Sequence, residues 1–164
     1  MQNNAIKSTY LGILVLHTAM LIGPAVMAGI FWFLLNQGAM EEAEGAFDSM
    51  KLIFQLIIVA VLCMAYVVNK LVLGKQLAVA RELEDLEDKL HTYRSINIIR
   101  SAMLEGATLV SLVFFFVSGE EVFFYMSLIV LLFLLLIFPS QARITKELEL
   151  NESEQRTFRK AMEA

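Results

Sequence analysis

The stretch HTAMLIGPAVMAGIFWFLL, at residues 17–35, recurs 83 residues later as RSAMLEGATLVSLVFFFVS, at residues 100–118. Six of the nineteen positions are identical: Ala19/Ala102, Met20/Met103, Leu21/Leu104, Gly23/Gly106, Phe31/Phe114 and Phe33/Phe116. One pair differs sharply in chemistry, because Ile22 of the first copy corresponds to Glu105 of the second. The match predicts a duplicated apolar helical unit with an acid in only one copy.

The composition predicts an integral membrane protein. Hydrophobic residues make up 58% of the 164, and the mean hydropathy is +0.66, which is too apolar for an ordinary soluble domain. A helix crosses the hydrocarbon core with about 20 apolar residues. Runs close to this length lie at about 10–35, 52–73, 98–117 and 122–138. We therefore expect an all-α, four-helix membrane bundle, in which the long first run is retained as a helix.

The cations predict how the spans are oriented. If the four spans alternate in direction, Lys and Arg divide twelve to one between the two sides, with Lys51 the exception. The positive-inside rule then places both termini in the cytoplasm, with the chain in the cell (inner) membrane. The loops on the other side carry the acids Glu41, Glu42, Glu44, Asp48, Glu120 and Glu121.

Two charged segments follow the even-numbered spans. In the first, Leu83, Leu86, Leu90 and Tyr93 are spaced 3, 4 and 3 apart, which predicts an apolar stripe on a cytoplasmic helix over 75–93. The tail predicts a second such helix over 141–162. These helices have three possible surfaces to pack on, namely each other, a neighbouring subunit or the membrane surface, and mixed charge makes the last the least favoured.

Together these segments predict two tandem hairpins of the same orientation within one membrane domain, 1–164. The first repeat unit is 8–99 and the second is 98–164, each with two spans and a cytoplasmic helical extension. Repeats of this kind are related by an axis along the membrane normal.

Small residues in the odd-numbered spans predict close helix packing. Lipid tails supply no hydrophobic force between helices, so small side chains that let backbones approach are favoured at helix contacts. Pro24 predicts a kink, because proline lacks a backbone N–H. The predicted packing residues are Ala19, Gly23, Pro24, Gly29, Ala102 and Gly106.

Glu105 is the leading candidate for chemistry, because a carboxylate in hydrocarbon needs a partner, water or a proton. Ser101 and Thr108 lie on the same stripe of the helix, one turn away on either side. His17 is a candidate interhelical partner, and a titratable pair of this kind could relay protons. Two interpretations stay open: ion or proton binding, and a structural, hydrogen-bonded acid.

No signature of an enzyme or of a metal site is present. The sequence has no HExxH, CxxC, GxSxG or phosphate-binding glycine loop, and its single cysteine is Cys63. We therefore expect no catalytic residue, no metal and no cofactor, and no nucleic acid as a partner. The aromatic residues at 114–116 and 123–125 are typical of an interfacial, lipid-facing belt.

Residues 102–116, AMLEGATLVSLVFFF, resemble the carboxylate-bearing helix of the proteolipid (c-type) subunits of rotary ATPases. In that family a Glu or Asp lies among small residues on the helix that leads outward from a cytoplasmic turn. The resemblance implies an ion- or proton-binding role for Glu105. The whole chain is also similar to small uncharacterised four-span bacterial membrane proteins.

These observations predict a non-enzymatic, multi-pass membrane protein that acts as a small subunit or scaffold of a membrane assembly. Its expected partners are the lipid bilayer and further copies or other membrane proteins, bound through the cytoplasmic helices. The alternative is an ion- or proton-handling protein that uses Glu105.

Overall fold

The computed structural model describes residues 2–38 and 50–163. In these residues every regular element is helical, with no β-strand, so the all-α prediction is confirmed. The α-helices are α1 (Gln2–Asn36), α2 (Lys51–Val68), α3 (Gly74–Glu82), α4 (Leu86–Ser118), α5 (Glu121–Leu136), α6 (Gln141–Glu147) and α7 (Glu152–Glu163). The predicted loop acids Glu41, Glu42, Glu44 and Asp48 lie outside the described residues.

Three helices of the described chain are long and apolar enough to cross a membrane, by length and composition. They are Asn3–Asn36, Lys51–Glu82 and Leu86–Ser118. A fourth crossing is available if α5 and α6 count as one broken span. Pro24 lies inside α1, which is one uninterrupted helix, and the predicted kink stays a prediction.

A bend of 76° separates α5 from α6. Pro139 lies at the bend, and proline lacks an N–H and favours an extended residue before it, so α5 ends at Leu136. Ser140 then begins α6 as its N-cap, because its hydroxyl accepts a hydrogen bond of 3.3 Å from the Arg143 N–H.

A π-helical segment, Asn69–Leu73, connects α2 to α3 without a break in the helix. Its signature is the hydrogen bond that the Gly74 N–H donates to the Asn69 carbonyl, five residues back. Such segments widen one turn and re-aim its side chains, and they are frequent at functional sites. Here the segment lies at the end of the predicted second span, 52–73.

The predicted cytoplasmic helix over 75–93 is two helices in the structure. Residues 83–85 interrupt it, with Leu83 in an extended conformation. Asp85 explains the break, because its side chain accepts a hydrogen bond of 3.0 Å from the Glu87 N–H and so begins α4. The first part of the predicted helix therefore extends α3, and the second part is the beginning of the 33-residue α4.

The predicted tail helix over 141–162 is also divided, into α6 and α7. Glu149 has a φ of 51°, a left-handed conformation that ends a helix. Asn151 then caps α7: its side chain accepts from the Glu154 N–H at 3.0 Å, and its own N–H donates to Glu154 Oε2 at 2.7 Å. This reciprocal pair is a capping box, which satisfies two backbone groups at once.

The chain forms two compact units, which we call the polar unit and the apolar unit. The polar unit is Met1–Thr18, Val67–Ser101 and Phe138–Ala164, and the apolar unit is Ala19–Tyr66 and Ala102–Ile137. The polar unit contains twelve of the thirteen Lys and Arg residues. Each unit takes residues from both predicted repeat units, 8–99 and 98–164, so the compact units are not the repeats.

The polar unit has an apolar core to which α1, α3, α4, α6 and α7 contribute. Its buried residues include Ile6, Tyr10, Ile13, Leu77, Leu90, Ile144, Leu148 and Phe158. The rings of Tyr10 and Phe158 meet edge to face, with centroids 5.4 Å apart. Three packing surfaces were open for the two charged segments. The structure shows the first of them, because the segments pack on each other within one chain.

The apolar unit has a core of aromatic side chains. Phe115 and Phe123 are buried with Ile58, and Phe54 stacks on Phe114 at a centroid distance of 4.2 Å. The interpretation of residues 114–116 and 123–125 as a lipid-facing belt is therefore wrong for these buried rings. The reason is geometric, because α4 and α5 turn Phe114, Phe115 and Phe123 toward each other.

Candidate functional site

His17 and Ser101, two of the predicted site residues, form a hydrogen bond in the polar unit. His17 Nδ1 and Ser101 Oγ are 2.9 Å apart, and both residues are fully buried. The Phe138 ring lies edge-on to the imidazole, with centroids 5.4 Å apart. Burial of polar groups is costly unless they are hydrogen-bonded, so this pair joins α1 to α4 specifically.

Glu105 lies on α4 in the apolar unit, one turn after Ser101, and is partly exposed. In the described part of the chain no hydrogen bond or ion pair is seen for its carboxylate. Thr108 is fully buried, but its hydroxyl donates to the Leu104 carbonyl at 2.9 Å. His17 thus bonds to Ser101 and not to Glu105, its predicted partner, which lies one turn further along α4.

A polar cluster centres on Arg100, the first residue of the second copy of the repeat. Its Nε donates to Asn69 Oδ1 at 2.8 Å, and its Nη1 donates to both carboxylate oxygens of Glu147, at 3.1 and 3.2 Å. Asn69 opens the π-helical segment, and Glu147 is the last residue of α6. Arg100 therefore ties α4 to two other helical elements.

Two more arginines complete the cluster around Glu147. Arg143 Nε donates to Glu147 Oε1 at 2.7 Å, and Arg81 Nε donates to the Glu147 carbonyl oxygen at 2.8 Å. Arg81 also pairs with Glu149 at 2.8 Å. Burial raises the pKa of Glu147, but the guanidinium groups of Arg100 and Arg143 outweigh it, so the pKa lies below its ordinary value.

This cluster is suited to holding helices together. Its carboxylate is ionised and already bound by two guanidinium groups, so it is a poor base and offers little to a cation. The i, i+4 pair Arg143–Glu147 is visible in the sequence. The partners Asn69 and Arg100 are not, because they lie 78 and 47 residues before Glu147 and only the fold brings them near.

The predicted helix-packing residues are mostly unpacked within one chain. A methyl group added at Gly23, Gly29 or Gly106 meets no neighbouring atom within 4 Å, beyond its own stretch of helix. Ala19 and Ala102 are exposed, whereas Pro24 is buried. These small-residue faces are therefore open for contact with something other than this chain.

The described residues contain no group of three or more His, Cys, Asp or Glu side chains that could hold a metal ion. Cys63 is a free, exposed thiol on α2. Compared with known protein families, curated proteins and solved structures, the chain matches none.

Proposed function

We propose that the chain is a multi-pass protein of the cell (inner) membrane, with four spans and both termini in the cytoplasm. The surface of the apolar unit carries this proposal. Large apolar side chains there are more than half exposed, among them Phe33, Leu52, Leu56, Ile129 and Phe133. A surface of this kind is unfavourable in water and is matched by lipid tails.

The distribution of charge supports the same assignment. The described residues of the apolar unit include only four charged side chains: Lys51, Glu105, Glu120 and Glu121. Lys51 and Glu120 form an ion pair with each other. The cations concentrate in the polar unit, which contains both termini, so the positive-inside rule places this unit in the cytoplasm.

Contacts between α1 and α4 support the two tandem hairpins. In the polar unit, Thr9 contacts His91, Gly12 lies against Arg94 and His17 pairs with Ser101. In the apolar unit, Phe31 stacks on Phe116 and Trp32 on Phe115. The sequence separations, 82 to 85, match the 83-residue offset of the repeat. An in-register parallel pair is what two repeats related by an axis along the membrane normal produce at that axis.

Within the membrane we propose a non-enzymatic role as a small subunit or scaffold. Most of the apolar residues of the cytoplasmic segments lie in the polar unit's own core, so they are not free to hold a partner. The small-residue faces of α1 and α4 are open and of the type that lets helix backbones approach closely. The proposed partner is a second copy or another membrane helix on these faces.

Labelling of Cys63 tests the membrane assignment. We expect this thiol to resist a charged, membrane-impermeant maleimide in intact membranes, although it is exposed on the protein, and to react after denaturation in SDS. In a Cys63→Ser background, Ser8→Cys is the control, because Ser8 is exposed in the polar unit. It should react only from the cytoplasmic side. Equal labelling at both positions in intact membranes would contradict the assignment.

A second experiment tests assembly through the small-residue faces. Gly23→Leu combined with Gly106→Leu is expected to lower the oligomeric state in mild detergent, measured by light scattering during gel filtration. Because a Cβ added at either glycine meets no neighbouring atom, a loss of assembly with unchanged circular dichroism reports an intermolecular contact. Ala60→Leu, at an exposed small residue of α2, is the matched control and should leave assembly unchanged. Unchanged assembly in the glycine variant argues against these faces.

A second candidate function is ion or proton handling at Glu105. The buried His17–Ser101 pair favours it, because it places hydrogen-bonding groups on α4 one turn before that carboxylate. Carbodiimide modification of Glu105 that one cation blocks would support this function, with Glu105→Gln as the control. Modification that no cation and no pH affects would exclude it.

A further inference from the structure

Arg94 of α4 is a partly buried cation to which the described chain supplies no counter-ion. The polar unit contains four partly buried arginines. Three of them, Arg81, Arg100 and Arg143, each have a carboxylate partner, at 2.8, 3.1 and 2.7 Å. Among the described residues, Arg94 has neither an ion pair nor a hydrogen bond. Partial burial weakens the solvation of its charge, so an anion from outside the chain is stabilised beside it.

The Arg94 guanidinium lies against Gly12 of α1. A Cβ atom added at Gly12 would lie 3.6 Å from Arg94 Cζ and 3.8 Å from each of its two Nη atoms. The glycine therefore leaves room for the planar group on the surface of α1. No Asp or Glu occurs in α1, and the nearest acids on α4 are Glu87 and Glu105, seven and eleven residues away. The two helices that hold the guanidinium thus leave its charge uncompensated.

Exposed apolar side chains flank Gly12 on α1. Leu11, which precedes it, is 47% exposed, and Val15, one turn further, is 68% exposed. One turn before Gly12 the exposed residue is polar, Ser8. Exposed apolar side chains are unfavourable in water and are matched by lipid tails. The Arg94 guanidinium therefore lies where the surface of α1 changes from polar to apolar.

A second cation lies at the same level of the polar unit. The Arg100–Asn69 hydrogen bond pairs α4 with the helix that precedes the turn at 83–85, so the two helices run antiparallel. The exposed Lys75 follows Asn69 by six residues, and Arg94 precedes Arg100 by six. Both cations therefore lie about 9 Å from Arg100, toward the turn. Cations at one level beside exposed apolar side chains are typical of the headgroup layer on the cytoplasmic side.

A lipid phosphate matches these surroundings in charge and shape. A guanidinium donates two parallel hydrogen bonds to phosphate oxygens. At the headgroup level, the acyl chains of the same lipid lie alongside Leu11 and Val15. A zwitterionic headgroup adds its own cation beside Arg94, so an anionic lipid is favoured. We propose that Arg94 binds the phosphate of an anionic phospholipid in the cytoplasmic leaflet, a site that rests on the membrane assignment proposed above.

Native mass spectrometry of the full-length protein in mild detergent, titrated with phosphatidylglycerol, tests the site. Arg94→Gln should weaken phosphatidylglycerol binding about tenfold, because it removes charge-assisted hydrogen bonds, and should change phosphatidylcholine binding little. Arg159→Gln is the matched control, since it removes the same charge from an exposed residue of α7 in the same unit. Equal weakening in the two variants would reflect net charge alone and would overturn the proposal.

A second variant keeps every charge of the protein. Gly12→Leu should also weaken phosphatidylglycerol binding, because a larger side chain takes the place of the guanidinium on α1. Circular dichroism checks that Gly12→Leu and Arg94→Gln are folded. Inorganic phosphate should not displace the lipid, since it has no acyl chains to contact Leu11 and Val15. Displacement would assign the site to free phosphate and overturn the lipid proposal.

The membrane assignment fails on a different observation, namely free labelling of Cys63 in intact membranes. If Cys63 is protected but Arg94→Gln binds phosphatidylglycerol as tightly as the unaltered protein, only the lipid site is wrong. The two proposals are therefore tested separately.

Discussion

Glu147→Ala is expected to destabilise the protein by about 3 kcal/mol, because it leaves two arginines without their shared carboxylate. The side chains of Arg100 and Glu147 are only 13% and 18% exposed, so water compensates poorly for the lost pair. Arg100 then keeps only its bond to Asn69. The midpoint of chemical unfolding, followed by circular dichroism in mild detergent, measures the loss.

An exposed ion pair with the same i, i+4 spacing as Arg143–Glu147 is the control for this prediction. Arg156 and Glu152 also lie four apart, but their side chains are 77% and 89% exposed. Glu152→Ala should change stability by less than about 0.5 kcal/mol, because exposed ion pairs are screened by solvent. If Glu147→Ala and Glu152→Ala lose similar stability, the cluster around Glu147 contributes no more than an exposed ion pair does.

The acid dependence of stability follows from the same group. Since the pKa of Glu147 is lower in the folded protein than the ordinary value of 4.5, the unfolded chain binds the proton first as pH falls. Its contribution is therefore complete above about pH 4.5 and is lost as pH falls through the folded pKa. In Glu147→Gln the free energy of unfolding should fall less steeply as the pH decreases below about 4.5. An unchanged pH dependence would mean that other carboxylates cause the loss of stability in acid.

The sequence predicts the helices better than it predicts what they touch. Apolar run length identifies α1, α2, α4 and α5, because crossing a membrane or filling a core demands it. The helix breaks at 83–85 and 148–151 depend on the N-cap residues Asp85 and Asn151. In the sequence each cap is a single polar residue, whereas the apolar periodicity on either side of it spans several turns. A prediction from periodicity therefore misses the break that the cap makes.

The site is harder to predict, for two physical reasons. Arg100 and Asn69 find their partners through the fold, and no local spacing encodes a contact between residues 31 or 47 positions apart. In α5 almost every side chain is apolar, so no polar face marks which aromatic residues turn inward. The polar residues His17 and Ser101 therefore stand out in an apolar sequence, whereas the buried Phe115 and Phe123 look the same as lipid-facing aromatic residues.

The aromatic core of the apolar unit leads to the second large prediction. Phe123 is fully buried and contacts the rings of Phe114 and Phe54, with centroids 5.8 and 6.3 Å away. Phe123→Ala is expected to cost about 3–5 kcal/mol, because it leaves a cavity that neighbouring rings cannot fill. Thermal unfolding in mild detergent or nanodiscs measures it.

Phe133 on the same helix is the matched comparison, because it is 55% exposed. If lipid covers that face, acyl chains fill the space that Phe133→Ala vacates, and the loss should stay below about 1 kcal/mol. A loss as large as that of Phe123→Ala would mean that a protein partner, rather than lipid, covers this side of α5. Comparison of the two variants in nanodiscs therefore distinguishes a lipid-facing surface from an assembly interface, since only a packed protein neighbour turns a truncated side chain into a lasting cavity.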